Sequence, residues 1–525
     1  MLLKDVFETI KKTELDEKYL KNKKIDSLMF SKSKFDAQGF FTKWKSRLAA
    51  RGDQQDDSTF GNGSSSPTAN TISINMLLSL GISKRSFIFT SDVPGAYLHA
   101  ELMETIIMRL PKSCGSMWLN ILEIPESEWN LWMRNDYVHV RLKKALYGLV
   151  QSSLLWYENI SLTLVNMGFE SCINDPCLFH RDIDGDKYYI ALYVDDLIHI
   201  SPNEQFGMII SDQLTSRYGS MDHHYGKNLS FLSLSIQIFE DRIVMDQDAY
   251  IQKLLEGLEE SCGKELQQYP MAANSVLNDD NELVALNGQD VVSYRSILMS
   301  IMFVATRTRA DVLFAVSNLA TKMSSPTVSD KIALNKLIGY IRAHPSVKIT
   351  YEYSGGESAK FGNRVEIFID ASWCLYDDAK GQSGCVLKLF GNTIMCKTMK
   401  QHIVTKSSTE SKIVAVDDFL PYGIWLCNLL RELSVYYEGP MVVYQDNTSG
   451  VKIINKGHGN FKRTKHFINK FYWIKQYVDD QTIEFVYLPT EEMVADIFTK
   501  VIVVHLFYVF MYFINNSHSG GKFKI

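Results

Sequence analysis

Two adjacent aspartates, Asp195 and Asp196, stand between two apolar segments, and this arrangement restricts the fold more than any other feature of the chain. The flanking segments, KYYIALYV and LIHIS, are rich in β-branched and aromatic residues and predict a tight hairpin of buried strands. Neighbouring carboxylates repel each other and buried strands deprive them of water, so a bound cation would stabilise the tip. Aspartate also favours turns by itself, and for an isolated Asp-Asp pair that structural explanation is the commoner one.

A third carboxylate makes the chemical interpretation the stronger of the two. In the predicted strand SFIFTSDV, period-two alternation places Ile88, Thr90 and Asp92 on one face, with Asp92 at the strand end. Three such carboxylates can hold two Mg²⁺ ions about 3.5 to 4 Å apart, one activating a 3′-hydroxyl and the other holding phosphates. The pattern therefore predicts phosphodiester synthesis.

Five segments carry a specific resemblance. They are, in chain order, KWKSRLAARGDQQD, SDVPGAYLHAEL, LKKALYGLVQSSLLWYENI, DPCLF and LYVDDLIHIS. Together they resemble the successive motifs of copia-type reverse transcriptases. The resemblance implies an RNA-directed DNA polymerase with a right-hand fold of fingers, palm and thumb, acting on an RNA template, a DNA primer and deoxynucleoside triphosphates. It also implies that Asp92 and Asp195 are the main ligands of two Mg²⁺ ions, or of Mn²⁺ in their place, with Asp196 supporting them.

The same resemblance suggests the residues that bind the nucleotide. Tyr97 would lie under the sugar and exclude a 2′-hydroxyl, and Gln151 would contact the incoming nucleotide. Lys45, Arg47 and Arg51 would meet triphosphate or template phosphates, a role that suits their charge, without any indication of which one does so. Taken alone, the aromatic residue would be assigned to the core, and the glutamine would carry almost no signal.

The C-terminal third repeats the pattern of acids at strand ends, with Asp370, Asp446 and Asp496. The strings FIDASWC, KSSTESKIVA, VYQDNTSG, RTKHFINKFYWI and VADIFTK resemble, in order, the α/β ribonuclease H-like domain that follows the polymerase in copia-type elements. These three aspartates map onto three of its four catalytic, metal-binding carboxylates. Such a domain implies an RNA-DNA hybrid as a partner, which disfavours a polymerase that copies only DNA.

Two departures from the family pattern bear on activity. The family has Thr-Glu-Ala-Glu where this chain has Thr409 to Lys412, so Lys412 stands at a ligand position. Glu410 is a further candidate catalytic residue, but it would reach the metals only if the helix start shifted. Ser233 replaces a glycine of the family in FLSLSI. From Lys412 we expect weak or absent hybrid cleavage, and from Ser233 impaired placement of the primer. The alternative to an active enzyme is a non-catalytic, nucleic-acid-binding relic.

Composition limits the remaining possibilities. A net charge of -5 and a pI near 6.2 exclude a uniformly basic protein, so nucleic-acid contacts must be local. Basic side chains cluster before residue 52 and again between residues 456 and 475, where a solvated helix is the alternative explanation. The eight cysteines include no C-x-x-C pair, which favours free thiols in a reducing, intracellular compartment. The resemblance implies a location in cytoplasmic virus-like particles or the nucleus. The apolar run from Val501 to Ile514 is too short to span a membrane, and no membrane partner is expected.

These patterns predict a multidomain α+β protein. The expected divisions are a connector or surface helix (1–28), fingers and palm (29–245), a helical thumb and connection (246–350), a linker (351–364), the ribonuclease H-like domain (365–500) and a divergent apolar tail (501–525).

Overall fold

The computed structural model describes residues 5–19, 22–35, 41–60, 64–258, 262–271, 284–353, 363–456 and 465–516. The strands are β1 (Phe7–Ile10), β2 (Lys24–Phe35), β3 (Phe41–Ala50), β4 (Phe87–Asp92), β5 (Ile107–Pro111), β6 (Met133–Arg134), β7 (Tyr137–Leu142), β8 (Glu170–Ser171), β9 (Leu178–Ile183), β10 (Asp186–Tyr193), β11 (Asp196–Ser201), β12 (Asp222–His224), β13 (Asn228–Phe231), β14 (Leu234–Ile238), β15 (Arg242–Asp246), β16 (Ile349–Glu352), β17 (Val365–Ser372), β18 (Lys380–Leu389), β19 (Asn392–Val404), β20 (Met441–Gln445) and β21 (Ile483–Tyr487). The helices are α1 (Lys12–Glu17), α2 (Thr71–Ser83), α3 (Lys112–Ile121), α4 (Ser152–Asn166), α5 (Glu204–Tyr218), α6 (Asp248–Glu256), α7 (Gly288–Ala305), α8 (Ala310–Ala320), α9 (Val328–Ala343), α10 (Ser408–Glu432), α11 (Thr448–Lys456), α12 (Lys465–Asp479) and α13 (Val504–Asn515).

The chain is a mixed α/β protein of two compact units that are discontinuous in sequence. The first unit comprises residues 1–69, 91–198 and 205–223, and the second comprises 70–90, 199–204 and 224–525. The domain boundaries predicted from the sequence are finer than this division and stay predictions. The predicted linker at 351–364 lies largely outside the described residues.

The first unit contains a six-stranded sheet with the order β1-β7-β5-β2-β3, to which β6 adds beside β7. Its start differs from the expected surface helix. Residues Phe7 to Ile10 form an antiparallel edge strand on β7, and the side chains of Val6, Phe7 and Ile10 are buried. The segment before residue 28 thus contributes to a folded core, because its apolar residues are covered by the sheet rather than by solvent.

A second six-stranded sheet, in the order β12-β4-β11-β10-β9-β8, contains the predicted hairpin. Residues Tyr188 to Leu192 of β10 are buried, as are Leu197 to Ser201 of β11, so the two flanking strands are confirmed. The turn is one residue earlier than expected. It consists of Val194 and Asp195, while Asp196 already begins β11.

The second unit contains the helical region expected between residues 249 and 344, which is confirmed as α6 to α9. These helices share one hydrophobic core with the tail helix α13, whose Phe510 and Ile514 are buried. The apolar tail is therefore packed inside the protein. This packing explains its composition without any contact with lipid.

Two further sheets belong to the second unit: β13-β14-β15-β16, which is antiparallel, and β19-β18-β17-β20-β21. In the latter, β17 pairs antiparallel with β18 and parallel with β20, and helix α10 packs on β17. Among the described helices, α10 alone is long and apolar enough to cross a membrane, but 67% of its apolar window is buried in the protein. That burial is typical of a core helix.

Candidate catalytic sites

The first candidate site lies where β4 ends and the β10–β11 hairpin turns. The main-chain amide of Val93 donates a hydrogen bond to the main-chain carbonyl of Asp195, at 3.1 Å. This bond joins the strand end that carries Asp92 to the turn that carries Asp195 and Asp196. All three aspartates are half-buried. The structure therefore brings together the carboxylates that the sequence predicted to cooperate, although their oxygens are less closely grouped than those of the second site described below.

Electrostatics shows that the three carboxylates interact. Burial, together with the charges of Asp195 and Asp92, raises the pKa of the Asp196 carboxyl to about 6. A carboxyl with a raised pKa is one whose negative charge is poorly compensated. The donor set consists of oxygen ligands, which Mg²⁺ and Mn²⁺ prefer, so these residues fit a divalent cation.

The turn itself is strained and is held by a buried tryptophan. Val194 has φ +60°, a left-handed conformation that is unfavourable for a β-branched residue. The indole Nε1 of Trp156 donates a hydrogen bond of 2.7 Å to the Val194 carbonyl, and Trp156 is 1% exposed. Helix α4 thereby fixes the main chain next to Asp195. Trp156 lies in the segment LKKALYGLVQSSLLWYENI, but the sequence gives no signal for this role.

Tyr97 lies beside the carboxylates as part of an aromatic pair. Its ring contacts that of Tyr147, with 4.7 Å between centroids, and the Arg47 guanidinium lies over the Tyr147 ring at 5.6 Å. Burial and the nearby charge of Asp195 raise the pKa of both phenols. Tyr147 is thus a site residue that the sequence analysis missed, although it stands in the matched string ALYGLV.

The structure distinguishes the three cations proposed to meet phosphates. Arg47 reaches the aromatic pair next to the carboxylates. Arg51 is instead bound by Asp53, at 2.6 Å, and Lys45 is exposed on the β2–β3 hairpin. By this geometry Arg47 is the candidate placed nearest to the carboxylates.

Gln151 is buried and its amide is engaged by the loop after β3. Its Oε1 accepts a hydrogen bond of 2.7 Å from Gln55, and its Nε2 donates to the Thr59 carbonyl at 3.0 Å. The same loop is pinned by close backbone contact at Gly148, which has φ +93° and where a Cβ would lie 2.0 Å from the Ala50 carbonyl oxygen. In this structure Gln151 positions a loop, and its contact with a nucleotide stays a prediction.

Ser233 occupies the second residue of the two-residue turn between β13 and β14. Its φ is +66°, and that of Leu232 is +50°, so both lie in the left-handed region that favours glycine. The family's glycine at this place has a conformational reason, and the serine adopts the same backbone at a cost.

The second candidate site is the closest carboxylate cluster in the described part of the chain. Oxygen atoms of Asp370, Asp446 and Asp496 all lie within 4.8 Å of one another. Asp370 is near the C-terminal end of β17, two residues before the strand ends, Asp446 follows β20, and Asp496 lies in a short 3₁₀ helix after β21. The sequence therefore identified correctly the three residues that meet.

Two lysines occupy this cluster. Lys412 Nζ donates to Asp370 Oδ1 at 2.8 Å and also to Asp446 Oδ1, and Lys500 Nζ lies 2.8 Å from Asp496 Oδ2. Burial disfavours the Lys412 ammonium, but the two aspartates still raise its pKa above the usual range. Burial would raise the pKa of Asp370, yet Lys412 and Lys500 lower it, while burial and Asp370 raise that of Asp496.

Glu410 does not join this cluster. It lies in the first turn of α10, where Ser407 is the N-cap, and its Oε2 accepts a hydrogen bond of 2.7 Å from the Lys406 amide. The structure gives it a capping position at the helix start. The helix has not shifted to bring it toward the aspartates.

The basic segment near residue 470 is only partly described. Lys470 pairs with Asp417 and Lys475 pairs with Asp479, while residues 457–464 lie outside the described residues. The predicted nucleic-acid surface there stays a prediction.

The chain is similar in sequence to known proteins over most of its length. Residues 17–271 match the family model described as "Reverse transcriptase (RNA-dependent DNA polymerase)". Curated relatives include the Retrovirus-related Pol polyprotein from transposon RE2 of Arabidopsis thaliana, with 27% identity over 89% of this chain and 30% of the relative. That from transposon TNT 1-94 of Nicotiana tabacum is 24% identical over 90% of this chain and 34% of the relative. The Transposon Ty1-MR1 Gag-Pol polyprotein of Saccharomyces cerevisiae is 25% identical over 96% of this chain and 28% of the relative.

Solved structures are more distant. A foamy viral protease-reverse transcriptase in complex with double-stranded DNA has a TM-score of 0.46 and 12% identity, covering 89% of this chain and 65% of that one. LC11-RNase H1 has a TM-score of 0.22 and 17% identity, covering 26% of this chain and 93% of that one. The chain spans about a third or less of the length of the curated relatives named above. The family match and the relatives agree with the resemblance seen in the motifs: residues 17–271 are similar to the reverse transcriptase family, and most of the chain is similar to a part of the Pol polyproteins of transposons.

Proposed function

We propose that the chain is an RNA-directed DNA polymerase with a right-hand fold. One observation supports this above all: within the family-matched region, a main-chain hydrogen bond joins the strand end that carries Asp92 to the turn beside Asp195 and Asp196, and burial and the charges of Asp195 and Asp92 raise the pKa of Asp196 to about 6. Catalytic sites are where such poorly compensated charges are expected. The substrates we infer are an RNA template, a DNA primer and deoxynucleoside triphosphates.

Two divalent ions, Mg²⁺ or Mn²⁺, would supply activation of the attacking hydroxyl and neutralisation of the phosphates. The protein side of the reaction is positioning. Asp92 and Asp195 would hold the ions with support from Asp196, and Trp156 fixes the strained turn that carries Asp195. Tyr97 presents its ring to the sugar, and Arg47 supplies a positive charge for the phosphates.

Primer extension on an RNA template tests this function. The full chain should extend a DNA primer with Mg²⁺ and deoxynucleotides, and EDTA should stop it. Asp195→Asn should abolish extension, because an amide removes a ligand charge at the turn. The matched control is Asp186→Asn, which changes an exposed aspartate at the other end of the same strand, β10. Loss of extension in both variants, or in neither, would contradict the assignment.

For the C-terminal part we propose a ribonuclease H-like domain that binds an RNA-DNA hybrid but cleaves it weakly or not at all. The supporting observation is that Lys412 lies among the aspartates that would hold metal. When the chain is incubated with a labelled hybrid and Mg²⁺, the protein should bind the hybrid, and no fragments of the RNA strand should appear. Robust cleavage that Asp446→Asn removes would refute this proposal.

A second candidate function for the whole chain is that of a non-catalytic, nucleic-acid-binding relic. The ion pairs of Lys412 with Asp370 and Asp446 favour it. Primer extension separates the two, because the relic would bind hybrid and extend nothing.

A further inference from the structure

Lys412 does more than interrupt a metal site: we propose that its ammonium replaces the divalent cation among Asp370, Asp446 and Asp496, so that this cluster is held together without metal. The proposal deepens the function proposed for the C-terminal domain, where cleavage is weak or absent. It concerns what the lysine contributes, which is the counter-charge of the cluster.

The occupancy of the carboxylate oxygens is the first argument. Both oxygens of Asp370 accept hydrogen bonds, Oδ1 from Lys412 and Oδ2 from Thr499. Both oxygens of Asp446 do so as well, Oδ1 from Lys412 and Oδ2 from Thr490 at 3.1 Å. For Asp496, Oδ2 is paired with Lys500 and only Oδ1 is buried without a hydrogen-bond partner.

A single remaining oxygen does not make a metal site. Mg²⁺ requires near-octahedral coordination and is held in proteins by carboxylates together with water or substrate oxygens. Here Lys412 and Lys500 lie against the carboxylates that would have to supply the ligands. A divalent ion could enter only by displacing the Lys412 ammonium, and the two positive charges would repel each other.

Burial is the second argument. The Asp370 side chain is 0% exposed and that of Asp446 is 6% exposed, so their charges cannot be compensated by water. Buried carboxylates are tolerated only when a cation or hydrogen bonds compensate them. Lys412 is 14% exposed, and two buried carboxylates share its one ammonium. The lysine therefore makes the cluster compatible with folding in the absence of metal.

The decisive comparison is between removing and replacing this charge. Lys412→Met keeps an unbranched apolar chain and deletes the ammonium, leaving Asp370 and Asp446 uncompensated. Lys412→Glu supplies the carboxylate that the resembled family carries at this position. All variants are made in the full chain with Asp195→Asn also present, so that ions bound at the polymerase carboxylates do not contribute.

Two measurements are made with Mn²⁺ as the probe: thermal unfolding with Mn²⁺ or EDTA, and Mn²⁺ binding from the electron paramagnetic resonance of the free ion. With Lys412 present, we expect an unfolding temperature that is the same in Mn²⁺ and EDTA. Lys412→Met should unfold at a lower temperature in EDTA and recover with Mn²⁺. Lys412→Glu should bind Mn²⁺ about tenfold or more tightly than the lysine chain, the scale on which even outer-shell partners of metal ligands act.

Lys470→Met is the matched control. Lys470, like Lys412, pairs with an aspartate. Its partner is Asp417 of α10, a single carboxylate and not a cluster. It should lower the unfolding temperature without recovery in Mn²⁺. If Lys412→Met does not fold, Mn²⁺ binding by Lys412→Glu still decides the matter.

The proposal is overturned if the lysine-containing chain binds Mn²⁺ at a site that Asp446→Asn removes, or if Lys412→Glu binds no more Mn²⁺ than its parent. Neither readout depends on primer extension. A chain that fails to extend a primer but behaves as expected here would refute the proposed polymerase and leave this inference standing.

Discussion

Replacing Trp156 by phenylalanine should impair catalysis, although the proposed role of Trp156 is to hold the turn and not to contact a substrate. The change deletes the indole N–H that donates to the Val194 carbonyl at 2.7 Å from a side chain 1% exposed. A buried acceptor left without its donor costs about 1–3 kcal/mol. A β-branched residue in the left-handed region, as Val194 is, stores a strain of about 1–3 kcal/mol. The strain at Val194 is as large as the contribution of the hydrogen bond that holds it. Once the bond is removed, the turn is therefore expected to relax.

Relaxation of the turn moves Asp195, which is the residue after Val194. A displacement of about 1 Å in an active site costs on the order of 10²-fold in rate. We therefore expect kcat for primer extension to fall about 10- to 100-fold, with a smaller change in KM for the nucleotide. The free energy of unfolding should fall by about 1–3 kcal/mol, measured by urea denaturation.

The control is Trp129→Phe. Trp129 also donates its indole N–H to a main-chain carbonyl, that of Ile124 at 3.0 Å, within the same unit. It should lose stability and keep its kcat. In a Val194→Gly background, where the strain is absent, Trp156→Phe should reduce kcat less. Equal kcat for Trp156→Phe and Trp129→Phe would show that the hydrogen bond does not position Asp195.

Three further outcomes follow from the structure. Ser233→Gly should raise the free energy of unfolding by about 0.5–1 kcal/mol in urea denaturation because it removes left-handed strain, whereas Ser230→Gly in the adjoining strand should lower it. The pKa of Asp196 is raised by the fold to about 6, so its ionisation costs stability: as the pH rises from about 4 to about 6, the free energy of unfolding of the metal-free chain should fall, and Asp196→Asn should reduce that fall in thermal unfolding. Tyr147→Leu should raise the nucleotide KM and weaken discrimination against ribonucleotides by about two- to tenfold in steady-state kinetics, while Tyr147→Phe, which keeps the ring against Tyr97, should not.

The sequence sufficed for those parts of the fold in which burial and chemistry agree. The hairpin strands around Asp195 and the helices α6 to α9 have periodic apolar residues, and the structure confirms both. The aspartates of the second cluster were identified as a set because each follows or lies within an apolar strand or a short element after one. Such positions are readable because a single chain segment determines them.

Other features depend on partners distant in sequence, and no local pattern encodes them. Residues 7–10 form a strand because β7, more than 120 residues later, offers an open edge. Trp156 acts through the Val194 carbonyl, and Tyr147 through the rings and cations that the fold places around it. A main-chain acceptor has no residue type, so the sequence cannot indicate it.

Lys412 shows both a local sequence signal and contacts with residues distant in sequence. Its position on the resembled motif gave a reason to doubt cleavage, but the same sequence is compatible with a lysine that points into solvent. The structure decides between these, since the ammonium reaches two buried carboxylates and Lys500 reaches the third. A neutral substitution at this position would leave Asp370 and Asp446 in need of a cation, whereas a lysine supplies one. The residue that stands against nuclease activity is therefore also the residue that allows the domain to fold without metal, and that combination is what Lys412→Met and Lys412→Glu separate.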